Sequence, residues 1–312
     1  MIDITNDVKE RIEYQVNKGQ IRLTGIPFTV SQKAYYMTNE NMTGYMDDLE
    51  GTKKSALTVT GSGDHILNLL SKGVLDIETF DTNAFAAYYA LGLKKALILK
   101  YSYKEYLEVM QKLGTSKDLE YQTQILFEAL PFMEKEYRDF WSSILEHNYK
   151  IQKDNKTILN IIELLFLNIK STDVFVKNNP YLKDEASYET TRENLKKARI
   201  VFTNTDAFFL DKVYSNFEFD IIMISNILDY FNRSLGNSWN KTELDKYIDS
   251  LKGVLSDEGI IYLHYIFKYG KNFQKSHIIQ CSGVTKDDID GEIISFPSNI
   301  CAIYDGMVTV RK

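Results

Sequence analysis

The sequence predicts an α/β fold with a mostly parallel β-sheet, and three observations lead to this expectation. A strand, a glycine turn, a helix and a second strand follow one another within residues 56–81, which is the order of a βαβ unit. Strand and helix patterns alternate again over residues 199–265, as a parallel sheet requires. Two late strands, 292–296 and 302–311, are expected to close the sheet as an antiparallel pair.

The βαβ unit begins with the β-branched run 56–60, which is typical of a buried strand. Gly61 and Gly63 follow, and glycine allows the backbone to turn tightly and to approach a ligand closely. The next apolar residues predict a helix that ends near Gly73. Residues 75–81 alternate in polarity and end on a carboxylate, so we expect a second strand there.

The pattern from Asp81 to Ala198 is helical and far longer than a plain crossover connection needs. We expect a helical insertion at about residues 100–190 within a domain that spans 56–312, and an N-terminal helical or lid segment at 1–55. One helix start is marked by the capping box at 102–105. The expected helices are 83–99, the one that begins at the capping box, 116–130, 134–148, 157–169 and 188–198.

In the second half, strands are expected at 199–203, 219–224 and 260–265, with a helix at 242–255 before the last of them. Polar residues follow the first two of these strands. Because ligands bind beyond the carboxyl ends of strands in open α/β sheets, these residues are candidates for a binding site. They are Asp206, Ser225 and Asn226.

Composition excludes several classes of protein. The chain carries 43 acidic and 37 basic side chains, a net charge of −6, which argues against nucleic acid as a partner. No apolar run is long enough to span a bilayer and no signal-peptide pattern begins the sequence, so we expect a soluble, cytoplasmic protein. The distant Cys281 and Cys301 fit a reduced compartment, and the histidines lack ligand spacing, so no metal site is expected.

The spacing of the glycine turn and the second strand points to a nucleoside-containing cofactor. Asp81 stands about 20 residues after Gly61, the spacing of a carboxylate that binds ribose hydroxyls. The dinucleotide pattern needs a third glycine where this chain has Ile66, which disfavours NAD or FAD. S-adenosylmethionine has no pyrophosphate and tolerates this departure better. Asp206 is placed to contact an adenine amino group.

The order of these residues resembles the Rossmann-like class I S-adenosylmethionine-dependent methyltransferase fold. More narrowly, residues 59–70 and 80–83 resemble the diacylglycerol 3-amino-3-carboxypropyltransferases of betaine-lipid synthesis. The resemblance implies S-adenosylmethionine as the cofactor and a mostly parallel sheet with a C-terminal antiparallel strand. The cofactor-binding residues it indicates are Gly61, Ser62, Gly63, Asp81, Asn83, Asp206, Ala207, Ser225 and Asn226.

Three functions stay open at this point. Methyl transfer to a small molecule leads, followed by 3-amino-3-carboxypropyl transfer to a lipid or small-molecule acceptor, and then by a non-catalytic protein that binds S-adenosylmethionine or a nucleotide. Asp229 and Tyr230, just past the fourth strand, are the candidates for orienting or deprotonating an acceptor. Tyr35 and Tyr36 are candidates for a lid. His65 follows the glycine turn and is a candidate to face the pocket, although a histidine at such a position more often caps or packs. The oligomeric state is not predicted.

Overall fold

The computed structural model describes most of the 312-residue chain. The described residues are 5–6, 8–10, 34–47, 49, 53–115, 119–155, 166–167, 172–228, 241–269, 289–299 and 304–312. They divide into two compact units. The helical unit comprises Met1–Thr38, Thr60–Asp64 and Thr82–Phe175, and the sheet unit comprises Asn39–Val59, His65–Asp81 and Val176–Lys312.

Within the described part of the sheet unit, seven strands form one sheet in the order β3-β2-β1-β4-β5-β7-β6. Strands β1 to β5 are parallel to one another, and β7 runs antiparallel to both β5 and β6. This is the predicted Rossmann-like sheet of class I methyltransferase type, with its C-terminal antiparallel strand. The strands are β1 Ser55–Val59, β2 Asp76–Asp81, β3 Arg199–Asn204, β4 Phe219–Met223, β5 Leu255–Tyr269, β6 Glu292–Pro297 and β7 Tyr304–Arg311.

The helices confirm most of the predicted pattern. The helix that covers residues 84–100, α3, has three successive segments, Ala84–Ala87, Tyr88–Lys94 and Lys95–Lys100, of which the middle one is a π-helix. The others are α1 Thr43–Met46, α2 Asp64–Ser71, α4 Tyr103–Thr115, α5 Leu119–Ala129, α6 Lys135–Asn155, α7 Thr172–Asn178, α8 Glu185–Leu195, α9 Leu210–Val213 and α10 Lys241–Lys252. Among the described residues, no helix is both long and apolar enough to cross a membrane.

The sheet unit has a core on one face of its central strands. Leu57 of β1, Ile222 of β4 and Ile261 of β5 are fully buried there, because successive side chains of a strand alternate between the two faces. Leu244 and Leu251, in the first and last turns of α10, are buried in the same hydrophobic cluster as these three strand residues. The amphipathic pattern of α10 therefore serves to cover this face of the sheet.

The helical unit is built around aromatic packing. Trp141 of α6 is fully buried and contacts the rings of Phe85 and Phe140. Its indole Nε1 donates a hydrogen bond of 2.9 Å to the backbone oxygen of Tyr88, at the start of the π-helical segment. Gly92 in that segment allows α6 to approach closely, since a Cβ there would lie 2.9 Å from Tyr137 Cβ. The predicted helical insertion thus has a core of its own.

One predicted helix is wrong where the structure describes it. Phe166–Leu167, inside the expected helix 157–169, is a two-residue strand that pairs in parallel with Ala34–Tyr35 in the helical unit. The rest of that expected helix lies outside the described residues. A short apolar run is compatible with either a buried helix or a buried strand, so periodicity alone could not decide between them. Tyr35 consequently belongs to this small strand pair.

The buried core of the sheet unit gives a first prediction. Replacing Leu57 with alanine leaves a cavity between β1 and the layer that includes α10, and is expected to lower the free energy of unfolding by about 2–5 kcal/mol. Val201 lies on the edge strand β3 and is 36% exposed, so Val201→Ala is the control and should cost below about 1 kcal/mol. Urea unfolding of the three proteins measures both effects. Equal losses would contradict the assignment of this core.

Candidate functional site

The glycine turn that follows β1 has a left-handed backbone at two positions, both within the helical unit. Gly61 and Gly63 have φ angles of +48° and +83°, and the Gly63 amide donates a hydrogen bond of 2.7 Å to the Thr60 carbonyl oxygen. A Cβ at Gly63 would lie 2.9 Å from Ala90 Cβ, whereas one at Gly61 would meet nothing within 4 Å. Gly63 therefore allows close packing on α3, and Gly61 is the glycine with open space beside it.

A fully buried carboxylate, Asp64, follows this turn. Its Oδ2 accepts hydrogen bonds of 2.7 Å from the Thr38 backbone amide and from the Ser62 hydroxyl. Its Oδ1 lies 2.5 Å from Nζ of Lys94, which is also fully buried. Lys94 Nζ donates a second hydrogen bond of 3.0 Å to the Ser62 carbonyl oxygen. The Ser62 side chain, predicted to bind cofactor, is thus engaged in holding Asp64.

The surroundings of Lys94 explain how a buried cation is tolerated. Burial lowers the pKa of Lys94, and the opposite charge of Asp64 counteracts this effect. The rings of Phe175 and Tyr89 lie 5.2 Å and 5.6 Å from Nζ, distances at which an aromatic face attracts a cation. Tyr36, a predicted lid residue, is buried in the same region, and its hydroxyl donates 2.8 Å to the Met110 carbonyl oxygen. Its role as a lid stays a prediction.

In the sheet unit, the predicted carboxylates lie at the carboxyl edge of the sheet. Asp81, the last residue of β2, is in register with Asn204, the last residue of β3. The Asn204 Nδ2 donates a hydrogen bond of 2.8 Å to the Asp81 backbone oxygen, which fixes the two strand ends together. Asp206 comes two residues later in the chain. Asp81 and Asp206 are both half-buried, so each is partly accessible to a ligand.

Two predicted cofactor residues also have local structural roles. The Asp206 Oδ1 accepts 3.1 Å from the Phe208 amide and caps the 3₁₀ turn Ala207–Phe209. Asn83, in the helical unit, caps α3 in the same way through the Phe85 amide, also at 3.1 Å. Short polar side chains are common at helix starts because they cap the helix. Capping therefore explains the presence of Asp206 and Asn83 at these positions without a cofactor.

Ser225 follows β4 with an unusual backbone conformation. With φ at +59°, it is the one non-glycine among the described residues in the left-handed region, a conformation that costs about 1–3 kcal/mol. Its carbonyl oxygen accepts a hydrogen bond of 3.2 Å from the Tyr265 amide of β5. Its hydroxyl contacts Asn226 Oδ1 at 3.2 Å and donates a short hydrogen bond to Glu40 Oε1. Strain of this kind is frequent at ligand sites.

Glu40 is a buried carboxylate of the sheet unit that sequence reasoning did not select. Beside the Ser225 contact, its Oε2 accepts 3.0 Å from the Tyr45 hydroxyl and lies 3.3 Å from His65 Nε2. Burial acts to raise the pKa of the Glu40 carboxyl. The electrostatic interaction with His65 and the hydrogen bonds from Ser225 and Tyr45 outweigh burial and hold this pKa below its ordinary value of 4.5. Glu40 is therefore a carboxylate anion at neutral pH.

His65, the second residue of α2, is the partner of Glu40. Its side chain is 4% exposed, and one ring nitrogen, Nε2, faces the carboxylate. Both ring nitrogens are buried, and neither has a hydrogen-bond partner within the described ranges. Capping or packing was the more common role expected of such a histidine, and its burial agrees with packing, but packing does not explain why neither ring nitrogen has a hydrogen-bond partner.

The predicted catalytic pair, Asp229 and Tyr230, lies outside the described residues. So do Cys281 and Cys301. In the part of the chain that the structure covers, no group of three or more His, Cys, Asp or Glu side chains is arranged to hold a metal ion.

Comparisons with known proteins give no family for this chain. No family model matches it, and no curated protein matches it. Among solved structures, the rRNA methyltransferase aviRa from Streptomyces viridochromogenes is similar at 12% identity with a TM-score of 0.38, covering 85% of this chain and 78% of that one. A mutant of MtNAS is similar at 12% identity with a TM-score of 0.22, covering 99% and 96%. Likenesses this weak identify neither activity nor substrate.

The Asp64–Lys94 pair is expected to be energetically coupled. Asp64→Asn leaves a buried ammonium without its counter-charge, so the free energy of unfolding should fall by about 3–5 kcal/mol. Lys94→Met should cost a similar amount, and the double variant less than the sum of the two. The control is Lys95→Met, since the Lys95–Glu134 pair is partly exposed and should contribute at most about 1 kcal/mol. Strict additivity in thermal unfolding would rule out the coupling.

Glu40 should make stability depend on pH. Because its pKa is lowered in the folded protein, the unfolded chain takes up the proton first as the pH falls below 4.5. The stabilisation is therefore complete above that value and is lost as the pH falls toward the folded-state pKa. The difference in free energy of unfolding between wild type and Glu40→Gln should be larger at about pH 6 than at about pH 3.5. Glu292→Gln, at an exposed position of β6, is the control, and an unchanged difference for Glu40→Gln would contradict the assignment.

Proposed function

We propose that this chain binds S-adenosylmethionine at the carboxyl edge of its sheet and transfers a group from it, in the first instance a methyl group, to a small molecule. The observation that supports the proposal most directly is the placement of Asp81 at the end of β2. It is in register with Asn204 at the end of the neighbouring strand β3, and Asp206 follows Asn204 by two residues. In a sheet of this strand order, ligands bind beyond the carboxyl ends of the strands.

The residues present fit the chemistry of this cofactor. A half-buried carboxylate such as Asp81 accepts hydrogen bonds from two neighbouring ribose hydroxyls. Asp206 has one carboxylate oxygen in the cap and a second acceptor for an adenine amino group. Gly61 has open space beside its Cα, so a ligand could approach the backbone there. The remaining proposed contacts are Ser62, Gly63, Asn83, Ala207, Ser225 and Asn226.

The chain itself would contribute mainly by binding and orientation. S-adenosylmethionine supplies an electrophilic carbon on a sulfonium that loses its charge as that carbon is transferred. Holding the acceptor in line with this carbon accounts for a large part of the rate enhancement in such reactions. An amine or thiol acceptor needs little further help, whereas a hydroxyl needs a base, for which Asp229 and Tyr230 remain the proposed residues.

Transfer of the 3-amino-3-carboxypropyl group is the second candidate. It is favoured by the resemblance of residues 59–70, which in the structure form the end of β1, the glycine turn and most of α2, and which include both Asp64 and His65. In that case the acceptor could be a lipid. For either transfer, the net charge of −6 disfavours a nucleic-acid acceptor. A non-catalytic binding protein would release neither S-adenosylhomocysteine nor methylthioadenosine.

The contribution of Asp81 to cofactor binding can be measured by calorimetry. Asp81→Ala should weaken binding of S-adenosylmethionine and S-adenosylhomocysteine by about 1–3 kcal/mol, or about 5-fold to 150-fold, because charge-assisted hydrogen bonds to the ribose hydroxyls are lost. Asp76→Ala is the matched control, since Asp76 lies at the opposite, amino end of β2 and pairs with Arg199 at the surface. Unchanged affinity for Asp81→Ala would remove this residue from the site, and no binding by the wild type at millimolar concentration would refute the proposal.

The transferred group is identified by the nucleoside product. Methyl transfer releases S-adenosylhomocysteine, and aminocarboxypropyl transfer releases methylthioadenosine. Incubation with S-adenosylmethionine and extracts of small metabolites or lipids, followed by chromatography of the two nucleosides, therefore decides between the first two candidates. Tight binding without either product would favour the non-catalytic alternative.

A further inference from the structure

We propose that Glu40 is a positioning residue of the proposed cofactor site, and that its carboxylate holds Ser225 in the left-handed conformation that this site needs. The inference rests on the proposed function and deepens it, because it gives a role to a buried carboxylate that neither the sequence nor any comparison selects. All contacts that carry it lie within the sheet unit.

Ser225 lies where a ligand of this sheet is expected to bind. It comes two residues after the end of β4, which is the neighbour of β1 in the strand order. The chain continues from β1 to β2 on one side of this pair and from β4 to β5 on the other, so the strand order reverses here. Ligands of open α/β sheets bind at such a point, beyond the carboxyl ends of the strands. Ser225 and the next residue, Asn226, are both half-buried there.

The backbone of Ser225 has a conformation that a serine does not adopt by itself. At a φ of +59°, the Cβ atom crowds the backbone, and glycine is the residue that reaches this region without strain. Such a conformation persists only when the surrounding structure offsets its cost. The hydroxyl is the part of Ser225 that glycine lacks and that can bind a neighbour, so its contacts are the place to look for this compensation.

The hydroxyl of Ser225 is bound by the Glu40 carboxylate. It donates the short hydrogen bond to Oε1, whereas its contact with the Asn226 side-chain oxygen is longer, at 3.2 Å. Hydrogen bonds to an ionised acceptor are about twice as strong as those between neutral groups. Glu40 is such an acceptor, because the pKa of its carboxyl lies below the ordinary value. The carboxylate is therefore the group that offsets the strain at Ser225.

Glu40 can act in this way because it is itself held in place. The Tyr45 hydroxyl donates 3.0 Å to its second oxygen, and the backbone amide of the next residue, Asn41, donates 2.9 Å to the Tyr265 hydroxyl. The Tyr265 amide in turn donates 3.2 Å to the Ser225 carbonyl oxygen. Ser225 is thus bound to Glu40 through its side chain and to β5 through its backbone, and β5 is bound to the segment that carries Glu40.

The direction of the chain after β4 decides what a ligand meets there. The turn at Ser225 is closed by the Ile227 amide, which donates 3.2 Å to the Ile224 carbonyl oxygen. Asn226, a proposed cofactor contact, lies inside this turn, so its position depends on the conformation of Ser225. Without the Glu40 contact, a fraction of the molecules would leave this conformation. The apparent affinity for the cofactor would fall with the fraction that remains competent to bind.

Calorimetry with S-adenosylmethionine tests the proposal through substitutions at both residues. Ser225→Ala and Ser225→Gly both remove the hydroxyl, but only alanine keeps the Cβ that strains the left-handed backbone. Ser225→Gly should therefore bind S-adenosylmethionine about 5-fold or more tightly than Ser225→Ala. Glu40→Met, of similar length but without an oxygen, should weaken binding about 5-fold or more when residue 225 is serine and less than about twofold when it is glycine.

The matched control is Tyr45→Phe, which keeps the ring and removes the hydroxyl that binds the other oxygen of Glu40. Its affinity for S-adenosylmethionine should stay within about twofold of wild type, because the contact between Glu40 and Ser225 is kept. If Glu40→Met does not fold, Glu40→Gln, which removes the charge and keeps the size, is measured in the same two backgrounds. Its loss of affinity should likewise be smaller when residue 225 is glycine.

Other outcomes overturn the assignment. Equal weakening by alanine and glycine at residue 225 would show that the hydroxyl acts on the ligand directly. An equal loss for the Glu40 variant in both backgrounds, or no loss in either, would show that Glu40 does not act through Ser225. Failure of the wild type to bind S-adenosylmethionine would instead refute the proposed function. The contact itself is then tested by thermal unfolding, in which Ser225→Gly, and not Ser225→Ala, should raise the midpoint temperature of the Glu40 variant.

Discussion

The buried carboxylate of Asp64 is the constraint on which the turn after β1 depends. An ion of this size loses several kcal/mol of hydration on burial, and recovers it only when every oxygen is well hydrogen-bonded. Here a backbone amide, a hydroxyl and an ammonium group all point to one carboxylate. In this conformation of the turn, both oxygens of the Asp64 carboxylate are satisfied. Left-handed glycines before and after Ser62 are what allow the backbone to adopt it.

The fold could be predicted to a large extent from local pattern. Strands β1 to β4 are recognisable in the sequence as short runs of β-branched or alternating residues. The capping box at 102–105 forms as expected, since Glu105 accepts a hydrogen bond of 2.9 Å from the Ser102 amide. The strand Phe166–Leu167 was missed because its partner is Ala34–Tyr35, far away in the chain. Pairing partners at such a separation leave no trace in the local periodicity.

The candidate site, like the fold, could be predicted only where local sequence pattern indicates it. Asp81 and Asp206 follow strands, so a rule about strand ends could find them. Glu40 could not be found in that way, since it contacts a serine 185 residues later in the chain and a histidine of α2. Lys94, likewise, is an ordinary residue of an apolar helical pattern until it is placed beside Asp64. Buried polar clusters are assembled by tertiary structure, and a single sequence does not contain the distances that define them.

The π-helical segment Tyr88–Lys94 limits how the length of this chain can change over time. Lys94 is the last residue of the segment, and each residue of an α-helix turns the chain by about 100°. Deleting Leu93, the one residue between Gly92 and Lys94, would therefore change the angle between these two positions around the axis of α3, so that the contact of Lys94 with Asp64 and the close approach of Gly92 to α6 could not both be kept. In this stretch the number of residues, and not only their identity, is expected to be under selection.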